Sequence, residues 1–214
     1  RTAGLMDAAA AAIPPFAADA DMRMVREVIE EYTIEDSILK VFGTETLDLV
    51  ADESLQVLGG YGFTAEYPVE RHYRDSRINR IFEGTNEVNR LIIPATLMKR
   101  MSQGRLPYGD FLAQLESELG NPARRPTPGT GPLALETHAT EMAKRGIAYV
   151  LRVLMEHDLA SLANQQQHLE ILSNMIIDVF AMDSVVNRTR LLLGRGQAGN
   201  ALRLALAHVL LPFV

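Results

Sequence analysis

With 214 residues, a net charge of −6 and no cysteine, the chain excludes disulfides, thiol catalysis and cysteine-based zinc sites. Its charge argues against general nucleic-acid binding, which rests on cationic contacts to phosphate. No uncharged apolar run reaches the roughly 18 residues that a membrane-spanning helix needs.

Ala, Leu, Glu, Arg and Met are abundant and no region alternates with period two, so the expected fold class is all-α. Residues 3–13 are strong helix formers stopped by Pro14-Pro15. A helix should restart near Asp19 or Asp21, with Val25, Val28, Ile29 and Tyr32 on one face. Gly43 weakens its continuity. Leu47, Val50, Ala51, Leu55 and Leu58 resume the stripe until Gly59-Gly60 ends it. Pro68 starts a helix to about Ile78. Another should run from near Asn86 to Arg100, bent at Pro94.

Residues 102–109 read as a connector, about 110–119 as a short helix, and 120–132 (GNPARRPTPGTGP) as a linker. Ala143, Ile147, Val150, Leu151 and Leu154 mark one amphipathic helix. Leu172, Met175, Ile176, Val179, Met182 and Val186 mark a second, broken at 194–199, and a third starts near Asn200. The expected organisation is residues 1–105 as one helical domain, 106–132 as connector and linker, and 133–214 as an additional helical region. The first residue is not Met and the last residues are apolar, so the chain reads as a piece of a longer one, cut at both ends.

Gln56 to Arg90 (QVLGGYGFTAEYPVERHYRDSRINRIFEGTNEVNR) holds the chemistry. Taken residue by residue, its features are structural. Glu83 is an acid ahead of a helix N-terminus, Thr85 or Asn86 caps that helix, and Glu87 is a first-turn acid. Gln56 to Gly60 reads as a C-capped helix end. Arg71, Arg74, Asp75, Arg77 and Arg80 read as structural ion pairing. The five histidines show no metal spacing, and no metal site is expected.

Taken together, the GGYGF turn, the EYPVER helix start, RDSRI and FEGTNEVNR stand in one order and spacing. In them the chain resembles the C-terminal helical domain of the FAD-dependent acyl-CoA dehydrogenases. That resemblance implies α,β-dehydrogenation of acyl-CoA thioesters, the chemistry of fatty-acid β-oxidation. Glu83 is then the base that takes the α-proton while a β-hydride passes to FAD. It implies further that the backbone N–H of Glu83 bonds the thioester carbonyl, and that Phe82 and Gly84 lie against the acyl-CoA.

The same resemblance puts Thr85, Asn86 and Glu87 on FAD, and Gln56, Val57, Leu58, Gly59 and Gly60 on the FAD of a neighbouring subunit. The enzyme is then at least a homodimer. Family members often carry Gln at the position of Glu87, and an acid near a diphosphate has to face away. The implied electron acceptor is an electron-transfer flavoprotein. The implied location is the cytoplasm of a bacterium, or the mitochondrial matrix of a eukaryote. Residues 133–214 are similar to the additional C-terminal region of the very-long-chain branch. Their amphipathic helices are expected to pack on the enzyme, with peripheral membrane contact as the alternative. An acyl-CoA oxidase and a non-catalytic helical interaction module are the rival functions. The 214 residues by themselves are expected to be inactive and not to hold FAD firmly.

Overall fold

A computed structural model describes residues 2–11, 22–162, 164–195, 204, 205 and 207. Among these, every regular element is a helix. They divide into two compact units, residues 1–97 and 98–214. Pro14-Pro15, the caps at Asp19 and Asp21, and the helix start near Asn200 lie outside the described residues.

The first unit is organised around one long helix. α1 (Thr2–Ala10) and α2 (Met22–Glu31) precede α3 (Thr33–Leu58). The break falls at Tyr32, not at Gly43, which lies inside α3. A mid-helix glycine costs only about 1 kcal/mol, and the open space around Gly43 imposes no further constraint. Ile38, Val41 and Ala51 turn the inner face of α3 into the core. The helix ends where Gly59 adopts φ 59°, a left-handed value that glycine reaches without steric cost. A 3-10 turn, Gly59–Phe63, follows.

α4 spans Pro68–Ile78, with Pro at its first turn, Glu70 near its positive end and Arg77 near its negative end, each favourable to the helix dipole. α4 packs along α3, burying Ser76. α5 (Asn86–Ser102) starts in the first unit and runs without interruption through Pro94, which is fully buried.

In the second unit, α6 (Tyr108–Gly120), α7 (Ala134–Leu162) and α8 (Gln166–Gly194) pack together. Arg190 bonds Thr137 at 2.8 Å, and Lys144 bonds Asp183 at 2.8 Å. These contacts move backwards along α8 as they move forwards along α7, so the two helices are antiparallel. Leu151, Leu169, Leu172, Ile177, Met182 and Val186 fill the core between and around them.

Gly/Pro density points to a boundary at 132/133, yet the compact units divide at 97/98. Side-chain bonds outside the linker explain why α6 groups with α7. Glu118 and Arg145, both buried, pair through Nε–Oε2 at 2.8 Å and Nη2–Oε1 at 3.2 Å. The linker itself is fastened at both ends. Arg124 donates to Ser117 Oγ at 2.5 Å, and Leu133 is only 2% exposed.

No helix among the described residues is long and apolar enough to cross a membrane.

Candidate active-site turn

Residues 79–85 join α4 to α5. Asn79, Arg80, Ile81 and Phe82 still donate backbone N–H groups to the last turn of α4. The chain then reverses at Glu83 (φ 53°) and Gly84 (φ 80°), two consecutive left-handed residues. Among the described residues only Glu83 and Leu133 adopt positive φ without being glycine. Such a residue stores on the order of 1 kcal/mol or more of strain, and strained residues cluster at functional sites. The reversal leaves Glu83 exposed. It also leaves the N–H groups of Glu83, Gly84 and Thr85 without a hydrogen bond among the described residues. Gly84 needs its glycine twice over, for its φ and because a Cβ there would meet Asn89 Nδ2 at 3.3 Å.

Beneath this exposed turn lies a buried polar anchor. Asn86 is 0% exposed. Its Oδ1 accepts from Lys40 Nζ at 2.7 Å and Thr44 Oγ1 at 3.2 Å, and its Nδ2 donates to Glu45 Oε1 and Thr44 Oγ1, each at 3.0 Å. Burial pushes the Lys40 ammonium below its ordinary pKa, a shift partly opposed by the carboxylates of Glu87, Glu45 and Glu83.

The structure separates the sequence-predicted site residues into two groups. Phe82, Glu83, Gly84, Thr85, Asn86 and Glu87 share one turn. Within it Phe82, Glu83, Gly84 and Glu87 are exposed and Thr85 is half-buried. Asn86 is fully buried, and α3 takes its side-chain hydrogen bonds.

The cap of α5 is Thr85, whose Oγ1 accepts from Val88 N at 3.3 Å. Glu87 turns its carboxylate onto its own backbone N–H and onto Thr85, which holds it below the usual carboxylate pKa. Asn86 N is taken by Arg80 O at 3.1 Å. The first N–H groups of α5 thus have partners inside the chain. The donors that remain open are those of residues 83–85.

The second group, Gln56 to Gly60, is exposed throughout, with Val57 84% exposed. It stands at the far end of α3. From Glu45, which touches Asn86, to Gln56 is roughly 16 Å along a helix rising about 1.5 Å per residue. The two groups are therefore separate surfaces of one chain. A close approach of the backbone to itself in this region occurs at Gly62. A Cβ on buried Gly62 would sit 2.7 Å from Leu55 O.

The arginine cluster is mostly surface pairing. Arg74 bonds Glu70 at 2.6 Å, and Arg71 lies 3.9 Å from Asp75. Arg80 alone of the five reaches α3, at Asp48, 2.9 Å away. A cavity of about 360 Å³ beside it is lined by Glu45, Asp48, Leu49, Asp52, Tyr73 and Arg80. Three carboxylates against one guanidinium make it a poor host for a polyanion.

Asn89 gave no signal in the motif reading, since an asparagine inside a helix has no signature of its own. Its Nδ2 lies 3.0 Å from both Gly84 O and Thr85 O.

Residues 5–98 match the family described as acyl-CoA dehydrogenase, C-terminal domain. A Bacillus subtilis (strain 168) protein named "Probable acyl-CoA dehydrogenase" is 43% identical over 169 residues, covering 79% of this chain and 28% of its own length. The human mitochondrial very long-chain specific acyl-CoA dehydrogenase is 34% identical over 191 residues, again 28% of its own length. The crystal structure of an acyl-CoA dehydrogenase complexed with FAD from Bacillus anthracis is similar with a TM-score of 0.88 and 37% identity. It covers 98% of this chain and 35% of that one. The chain thus spans about a third or less of these relatives.

Proposed function

Because the chain belongs to the acyl-CoA dehydrogenase family, with residues 5–98 in its C-terminal domain, we propose that it forms one edge of an FAD-dependent site that dehydrogenates acyl-CoA thioesters, with Glu83 as the base. One observation carries this reading. Glu83 is an exposed carboxylate on a left-handed residue whose own N–H is unpaired among the described residues. A residue held that way offers a proton acceptor and a hydrogen-bond donor from one position.

Removing the α-proton of a thioester needs both. The carboxylate of Glu83 takes the proton. The N–H of Glu83 donates to the thioester oxygen, where negative charge develops. An apolar acyl chain lying beside Phe82 and Gly84 excludes water and raises the proton affinity of the carboxylate. FAD, when bound, supplies the hydride acceptor. The open N–H groups of residues 83–85 and the half-buried Thr85 fit a neutral polar edge of such a cofactor better than its diphosphate, since Glu87 is ionised and the α5 donors are spent. Gln56 to Gly60, at the other end of α3, serve the FAD of a second copy.

Exposed apolar residues support an assembly with at least two copies. Leu39, Phe42, Val50 and Val57 on α3, with Ile78 at the end of α4 and Ile81 after it, are between 43% and 84% exposed. The electron acceptor in this reading is an electron-transfer flavoprotein, and the enzyme works in a bacterial cytoplasm or a mitochondrial matrix. Residues 133–214 act as an additional helical region of the enzyme. The 214 residues alone are inactive and lose FAD on desalting.

The test is flavin bleaching in the FAD-loaded enzyme, without an electron acceptor, under saturating acyl-CoA. Glu83→Gln keeps shape and hydrogen-bonding capacity, so FAD content and acyl-CoA binding stay, while the bleaching rate falls on the order of 10²–10⁴-fold. A near wild-type rate in Glu83→Gln removes Glu83 as the base.

A further inference from the structure

We infer that Asn89 is a positioning residue for the reaction, holding the Glu83–Gly84 reversal from inside α5. The inference rests on the reading of Glu83 as the base.

The reversal is closed at its base by Asn86 N on Arg80 O at 3.1 Å, but its own residues are little held. Among the described residues the N–H groups of Glu83, Gly84 and Thr85 have no hydrogen-bond partner. The Glu83 side chain makes no hydrogen bond or ion pair among the described residues. Two consecutive left-handed residues are also the least self-supporting backbone available, since the first of them is not glycine.

Against this, a single side-chain amide spans the turn. Asn89 Nδ2 donates to Gly84 O and to Thr85 O, both at 3.0 Å. The Asn89 backbone N–H holds Thr85 O as well, at 3.0 Å. Gly84 O has no other donor among the described residues. Asn89 is 8% exposed, so water competes poorly for these bonds. Asn89 in turn stands on a fixed base, since Asn86, three residues earlier on α5, is bonded to Lys40, Thr44 and Glu45 of α3.

The chain of support thus runs from α3 through Asn86 to α5, and from Asn89 to the two carbonyls. With those carbonyls fixed, the peptide that carries Glu83 cannot relax out of the left-handed region. The carboxylate and the N–H keep one direction relative to each other. Only an amide or an equivalent donor of that length serves, because the target is a pair of acceptors.

The experiment uses the FAD-loaded enzyme with three variants in parallel: Asn89→Leu, close in shape and without a donor; Asn89→Ser, too short to reach; and Asn89→Gln, which restores an amide donor. Flavin bleaching by saturating acyl-CoA is read together with the acyl-CoA dissociation constant and FAD content. Asn89→Leu and Asn89→Ser are expected to slow bleaching on the order of 10–100-fold, the scale on which about 1 Å of misplacement acts. The dissociation constant should move less than about threefold, and Asn89→Gln should recover part of the rate. A wild-type bleaching rate in either donor-less variant overturns the proposal. So does loss of fold or of FAD in both, since the side chain is then structural. Glu83→Gln run alongside separates the two readings. If it bleaches normally, the base assignment fails. If it is dead while the Asn89 variants are normal, only the positioning role fails.

Discussion

The carboxylate of Glu45 meets the guanidinium of Arg90 fork to fork, with Nη1 2.8 Å from Oε1 and Nη2 2.8 Å from Oε2. This pair ties the middle of α3 to the first turns of α5, directly beside Asn86. Arg90 is only 13% exposed at its side chain, so the pair is worth more than a surface bridge. Arg90→Lys keeps the charge and loses the fork. It is expected to destabilise the protein by roughly 1–2 kcal/mol, read as a lower urea midpoint with an unchanged slope. An unchanged midpoint would show that the fork contributes nothing.

Acid should weaken both units through their paired carboxylates. Burial pushes Glu45 upward, but hydrogen bonds from Arg90 and Asn86 and nearby guanidinium charge outweigh it, and its pKa falls below the ordinary value. Bonds from Arg145 lower Glu118 as well, against an opposing push from burial. A carboxylate with a depressed folded-state pKa contributes stability above the unfolded pKa of about 4.3, and loses it as pH falls through the folded value. Thermal midpoints should be flat from pH 7 to 5 and fall below about pH 4. Glu118→Gln should lower the midpoint at pH 7 and flatten that fall. Its partner Arg145 is then a buried guanidinium left with only the longer 3.5 Å pairing to Glu141, whereas the double change Glu118→Leu with Arg145→Met should recover most of the loss.

Gly62→Ala tests the close approach of Gly62 to Leu55. Its Cβ would meet the Leu55 carbonyl oxygen at 2.7 Å and Leu58 Cβ at 3.0 Å. Backbone oxygen cannot step aside as a side chain does, so the 3-10 turn must shift. A cost of roughly 1–3 kcal/mol is expected. Gly60→Ala, with open space around it, should cost much less. Equal midpoints for the two variants would count against the crowding.

Glu83→Asn separates stability from activity. Asn tolerates left-handed φ better than Glu does, so the variant should melt no lower than the parent, and about 1–2 °C higher is expected. Acyl-CoA turnover should vanish. A clear fall in melting temperature would mean that Glu83 is held by contacts and not merely strained.

Trypsin should cut first after Arg124, which is exposed, at the boundary proposed before residue 133. The two pieces should stay together on gel filtration, because Glu118 and Arg145 join α6 to α7 across the cut. They should separate more readily in Glu118→Gln. Early cutting inside residues 140–155 would count against this order.

Sequence alone determined the all-helical class, the start of α4 at Pro68 and its end at Ile78, the end of α3 at Gly59, and the motif residues that carry the family. These are local matters: proline and glycine restrict or free the backbone, and helix periodicity repeats within a few residues. Tertiary structure decided the rest. α3 passes through Gly43 because packing on α4 and α5 outweighs a propensity cost of about 1 kcal/mol. Asn86, legible as a cap or a cofactor contact, became a buried anchor because three residues of α3, more than forty positions earlier, converge on it. Glu83 and Gly84 took left-handed φ, and Asn89 came to hold them, through bonds that no motif encodes. The linker at 120–132 has the composition of a free joint, but Glu118 and Arg145 draw the helices flanking it into one unit. Such long-range pairs depend on where the chain returns in space, and sequence periodicity does not record that.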